Sequence, residues 1–185
     1  MVLKLRSSHL QTICAHAEST YPDECCGIMV GQLGNDDKTL VEVWATENVW
    51  STESNLYKGY MEEQQTSAKS SSIEDSGARV FPNSTSSTMP ASNSEQTKSS
   101  KHRYAIAPEV LLQSQRIARD RHLDIIGIYH SHPDSRAVPS EFDRLYAWHQ
   151  YLYIIVSVQQ GKVDDLLCWS LDDHNRFQPE EVFTC

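Results

Sequence analysis

The chain has 185 residues, enough for one sizeable domain and short for two. Its formal net charge of -9 argues against nucleic acid as a general partner, because phosphate binding needs a basic surface. Only 39% of the residues are hydrophobic, so part of the chain is expected to stay out of the core, and no apolar run approaches the roughly 18 residues of a membrane span.

Met1 to Arg6 pass straight into polar sequence without the apolar centre of a signal peptide, so a cytoplasmic location is expected. Residues 7–19 set Leu10, Ile13, Cys14 and Ala17 at helical spacing, and Tyr21-Pro22-Asp23 breaks that helix. Residues 25–30 read as a buried strand ending at Gly31. Leu33 to Lys38 are turn chemistry, and residues 39–45 alternate as a second strand.

Residues 51–102 differ in kind. Runs such as Ser70-Ser71-Ser72 and Ser84-Thr85-Ser86-Ser87-Thr88 dominate, and apolar residues are sparse and aperiodic. Such a segment buries too little apolar surface to offset its ordering entropy. It reads as a disordered Ser/Thr-rich insertion within a single domain of residues 1–185. A flexible lid and a tolerated surface insertion are the two roles open to it.

Order is expected to resume at residues 103–106. Pro108 suits the first position of a helix running to about residue 121, with Val110, Leu111, Ser114, Ile117 and Ala118 on one side. A strand over residues 124–129, a helix over 140–149, a strong strand over 151–158, a turn at Gln159 to Lys162 and a returning strand over 163–171 follow. Residues 177–183 add a short strand or tail. Interleaved helices and strands make the class mixed α/β, a sheet covered by helices.

The chemistry concentrates after the strand over residues 124–129. His130-Ser131-His132-Pro133, then Ser140 and Asp143, read H-S-H-P-x6-S-x2-D. Histidines at i and i+2 on a strand end point to the same side. With Asp143 in the first turn of the next helix they make a three-ligand set of the kind that holds catalytic zinc and keeps a fourth position open. Ser140-x-x-Asp143 also matches a helix capping box, so both residues carry a purely structural reading. Ser131 reads as a packing residue. His9, His16, His102, His122, His149 and His174 lack partner spacing and read as structural or exposed.

A hydrolytic site also needs a general base. Glu24 stands at the loop-to-strand junction before Cys25, where partial desolvation would raise its pKa. An exposed surface acid is the alternative for that position. The five cysteines contain no C-x-x-C pair, which argues against a zinc ribbon or a redox site; Cys25 and Cys26 read as buried thiols.

Tyr21-Pro22-Asp23-Glu24-Cys25-Cys26-Gly27, with His130-Ser131-His132-Pro133 and Ser140-x-x-Asp143, resembles the JAMM (MPN-plus) zinc metalloproteases, and in particular their small single-domain prokaryotic members. The resemblance spans nearly all of the chain outside the insertion. It implies a cytidine-deaminase-like MPN fold, a curved mixed sheet flanked by helices. It implies zinc on His130, His132 and Asp143, Glu24 as general base and acid, and Ser140 as a hydrogen-bond donor to the oxyanion. The substrates it implies are peptide or isopeptide bonds at the extended C-terminal tail of ubiquitin-like or sulfur-carrier-type proteins. A non-catalytic MPN-type interaction scaffold and a small-molecule amide hydrolase are the competing classes. A deaminase is disfavoured because no P-C-x-x-C follows a His-x-Glu.

Overall fold

The computed structural model describes residues 1–50 and 103–184. The insertion expected at about 51–102 and the terminal Cys185 lie outside the described residues. Among the described residues the elements are β1 (Val2–Leu5), α1 (Ser7–Thr20), β2 (Cys26–Leu33), β3 (Asp37–Thr46), α2 (Pro108–Asp120), β4 (Asp124–Pro133), α3 (Glu141–Tyr146), β5 (Leu152–Gln159), β6 (Lys162–Leu171) and β7 (Phe177–Thr184).

The local chemistry behind these elements is plain. α1 buries His9, Ile13 and Ala17, three residues four apart and therefore on one face. α2 opens with proline, carries Glu109 in its first turn and Arg119 in its last, and so matches the helix dipole at both ends. β5 is buried from Leu152 to Val158, the continuous apolar run of a strand covered on both faces. α3 is shorter than expected, because the chain leaves helical geometry at Ala147. There the Trp148 amide instead donates to the Tyr153 hydroxyl at 2.6 Å.

The strands form one sheet in the order β1-β3-β2-β4-β5-β6-β7, and that sheet closes into a barrel. The class is mixed α/β, as expected, and the curvature of the mixed sheet is carried to closure. The element that closes it is β1, a segment to which the sequence reading assigns no structure. It pairs in parallel with β3 on one side and β7 on the other. Four residues with only Leu3 and Leu5 buried are too short a pattern to register as a strand in the sequence.

Apolar side chains line both sides of the sheet. Ile13 and Ala17 of α1 pack into one cluster with Met29, Tyr129, Ile154 and Val156. Ala118 of α2 packs into a second with Ile28, Val30 and Tyr153. Gly27 is demanded by the first cluster: a Cβ there would stand 2.3 Å from the ring of the fully buried Tyr129. The buried Lys38 is held by its amine donating to the carbonyls of Ile126, at 3.2 Å, and Gln150. No helix among the described residues is long and apolar enough to cross a membrane.

Candidate metal centre

The site is assembled by the register of β2 against β4. These antiparallel strands set Cys26 opposite His130. One step further, the Cys25 amide donates to the Ser131 hydroxyl at 2.8 Å, and the Ser131 amide donates to the Cys25 carbonyl at 3.2 Å. The following step brings Glu24 alongside His132. Strand alternation sends His130 and His132 to one side of β4 and Ser131 to the other. Ser131 thus fastens the strand that carries Glu24 to the strand that carries the histidines.

His130, His132 and Asp143 converge, all buried, with one ligand atom from each within 4.8 Å of the others. His130 Nε2 lies 3.1 Å from His132 Nε2 and 3.3 Å from Asp143 Oδ1, and His132 Nε2 lies 3.5 Å from Asp143 Oδ2. Ligands bound tetrahedrally at about 2.0–2.1 Å stand about 3.3 Å from one another, so the spacing fits a small divalent ion. His132 Nδ1 lies 2.9 Å from the Arg136 carbonyl. A carbonyl only accepts, so Nδ1 carries the hydrogen and Nε2 presents its lone pair to the cluster. His130 Nδ1 is buried without a hydrogen-bond partner among the described residues, so no protein group draws the other edge of that ring away from the site.

The ionisation states of Asp143 and His130 suit a cation, whereas a cation at His132 has to displace a proton. Burial works against the charge of Asp143, yet His130, His132 and Ser140 together hold its carboxyl well below the usual carboxylate range. Burial keeps His130 neutral, lowering its pKa despite the nearby Asp143. At His132 burial also opposes the charge, but hydrogen bonding to Asp143 and the fields of Glu24 and Asp143 outweigh it and raise the pKa.

Ser140 is the N-cap of α3. Its amide and hydroxyl donate to Asp143 Oδ2 at 2.6 and 2.7 Å, and its oxygen accepts from the Asp143 amide at 3.2 Å. The capping box is therefore present, and it orients the carboxylate whose other oxygen meets His130. In capping the helix, Ser140 positions Asp143.

Glu24 is 5% exposed, and its carboxylate has no hydrogen-bond partner among the described residues. Desolvation is the main reason its pKa rises to about 8, with Asp143 adding to the rise and His132 and Arg103 opposing it. A cleft of about 290 Å³ opens against it, lined also by His16 and Thr20 of α1, Asp23, Cys25, Thr46, Glu47 and Asn48.

A family model described as prokaryotic homologs of the JAB domain matches residues 6–172, a span that includes Glu24, His130, His132 and Asp143. The chain belongs to that family. Solved structures share its fold. A protein of Desulfitobacterium hafniense matches with a TM-score of 0.65 at 18% identity, covering 99% of this chain and 92% of the other. A protein of Salinibacter ruber matches with a TM-score of 0.59 at 23% identity, covering 98% and 91%. No curated protein matches the chain.

Two residues of this JAB homolog that the sequence reading passes over also build the site. Asn48 uses its whole hydrogen-bonding capacity. Its amide nitrogen donates to the carbonyls of Glu24, at 2.9 Å, and Arg103, at 3.0 Å, while its oxygen accepts from the amides of Trp50, at 3.0 Å, and Ala105, at 3.1 Å. It joins the backbone of the candidate base to the two segments that flank residues 51–102. Tyr104, between two of those anchor points, stacks on His130 with ring centroids 4.4 Å apart. No local pattern marks either residue; each matters through contacts made across the fold. Asn48→Ala is expected to lower unfolding stability by about 1–3 kcal/mol, since it strands buried amides and carbonyls. Urea unfolding monitored by circular dichroism measures this, and an unchanged midpoint would mean the bridge is dispensable.

Burial pushes the Cys25 thiol up to about 11 and the Cys26 thiol to about 12. Both stay protonated near neutrality and act as core residues, Cys26 with its sulfur 3.4 Å from the Thr46 hydroxyl.

Proposed function

We propose that this JAB homolog is a zinc-dependent hydrolase of peptide or isopeptide bonds, acting on the C-terminal tail of ubiquitin-like proteins of the sulfur-carrier type, and that its barrel is a closed form of the cytidine-deaminase-like MPN sheet. The observation that carries the reading is Glu24. An ionisable carboxyl that is buried, without a hydrogen-bond partner among the described residues and beside a three-ligand set is costly to keep for structure alone.

His130, His132 and Asp143 would hold the zinc, with two neutral nitrogens and one carboxylate oxygen as donors. Zinc in such a site polarises a carbonyl and brings the pKa of water close to neutrality. Glu24 accepts the proton of the attacking water as its oxygen bonds to the carbonyl carbon. It returns that proton to the amide nitrogen as the carbon–nitrogen bond breaks, so the departing group leaves as a neutral amine. A cation held by the three residues would lower the Glu24 pKa below its value of about 8 in the metal-free protein, which favours the ionised form that accepts the water proton.

The cleft against Glu24, about 290 Å³, sits at the small end of ligand sites. Its lining reaches the centre through Glu24 and includes none of His130, His132 and Asp143. The test is to incubate the zinc-loaded protein with ubiquitin-like proteins carrying C-terminal extensions and to follow the products by mass spectrometry. Cleavage directly after the tail supports the reading. Stoichiometric zinc with no cleavage of any such substrate would sink it and favour an interaction scaffold.

A further inference from the structure

Transition-state charge in amide hydrolysis builds on the carbonyl oxygen, so a donor placed to meet it accelerates the reaction. Ser140 has one hydroxyl hydrogen, and that hydrogen is given to Asp143 Oδ2 at 2.7 Å. Serving a substrate oxygen would require it to leave the carboxylate it orients. A second hydroxyl, free of such a commitment, belongs to a ring that lies against one of the three converging residues. The Tyr104 ring lies against His130, centroids 4.4 Å apart and planes inclined by 26°, and its hydroxyl has no hydrogen-bond partner among the described residues.

The chain on either side of Tyr104 is fixed. The Arg103 carbonyl accepts from Asn48 Nδ2, and the Ala105 amide donates to Asn48 Oδ1. The Arg103 guanidinium also sits 5.2 Å from the centroid of Trp50 and 4.7 Å from that of Phe142, so it is held against α3, the helix that carries Asp143. A phenol is a neutral hydrogen-bond donor near neutral pH, and this one is anchored on both sides with its ring against His130.

We propose that Tyr104 is a further catalytic residue, whose hydroxyl donates a hydrogen bond to the substrate carbonyl oxygen as that oxygen becomes negative. The proposal rests on the hydrolase reading above. Tyr104 keeps its proton throughout: the water proton goes to Glu24, the carbonyl π electrons move onto the oxygen, and they return when the carbon–nitrogen bond breaks. The hydrogen bond strengthens as the charge grows, so its effect falls on turnover more than on substrate affinity.

The deciding variant is Tyr104→Phe, which retains the ring on His130 and removes only the hydroxyl. The expected result is a fall in kcat of about 10²-fold, with KM changed by less than about threefold and with metal content and melting temperature as in the wild type. A measurement without turnover accompanies it. The cobalt(II)-loaded protein is titrated with acetohydroxamate, whose oxygens mimic the charged carbonyl, and binding is read from the visible absorption of the metal. Tyr104→Phe is expected to weaken that binding by about tenfold. A wild-type kcat, or for a protein that proves inactive a wild-type acetohydroxamate affinity, would overturn the assignment. Failure of the wild-type protein to cleave any ubiquitin-like substrate counts against the hydrolase reading instead, and the hydroxamate comparison still decides whether Tyr104 is a donor.

Discussion

Glu24→Gln is expected to bind metal with wild-type stoichiometry and to lose activity by roughly 10²–10⁴-fold, the usual worth of a positioned acid–base group. The metal should stay because Glu24 is not among the converging ligands, which are His130, His132 and Asp143. The activity should go because glutamine has nearly the same shape but cannot carry the proton. Metal analysis and cleavage assays on one preparation measure both, and a variant that cleaved at the wild-type rate would remove Glu24 from the mechanism.

The same substitution has an effect on stability whose direction depends on pH. The folded protein holds the Glu24 proton up to about 8, well above the ordinary carboxyl value. The folded state therefore binds a proton that the unfolded state has released, and wild-type stability falls as pH rises through that interval. Glutamine never ionises. Metal-free Glu24→Gln is expected to match the wild type in stability at pH 4 and to exceed it at pH 9 by an amount on the order of a few kcal/mol, with a correspondingly higher melting temperature. Equal melting temperatures across that range would show that the carboxylate is not desolvated as described.

Asp143→Ala is expected to abolish both metal binding and activity. This carboxylate meets both imidazoles and receives two hydrogen bonds from Ser140. Without it, His130 and His132 face each other at 3.1 Å and lose the carboxylate that meets both rings. Two neutral imidazoles alone make a weaker and less selective site than a three-ligand set. The wild-type protein is expected to melt higher with zinc than with chelator, because the ion binds the folded state alone. In Asp143→Ala that gap should close, and the metal-free melting temperature should also drop because α3 loses its capping box. Scanning calorimetry with and without zinc measures both, and an undiminished zinc-dependent gap would move the ligand role to another residue.

The converging residues were legible because their spacing is local. His130 and His132 are two apart on one strand, and strand geometry alone puts them on one side. Ser140 and Asp143 are three apart, the spacing that closes a capping box at a helix start. Cys25 and Cys26 were legible as buried thiols because they open a continuous apolar run. Glu24 was legible only in part. Its place before a buried strand implied desolvation, but nothing local says which strand lies beside β2. That information sits in the register that sets Cys26 opposite His130.

Composition and short-range periodicity by themselves determined the α/β class, the position of most elements, and the two histidines, serine and aspartate of the candidate metal centre. Each of those features is written within a few turns of one helix or one stretch of strand. Tertiary structure alone decided that β1 closes the sheet, that Ser131 fastens the strand bearing Glu24 to the strand bearing the histidines, and that Asn48 and Tyr104 belong to the site. Those facts depend on hydrogen bonds and ring contacts between segments far apart in the chain, and such pairings are selected by the packing of the whole domain rather than by the residues on either side.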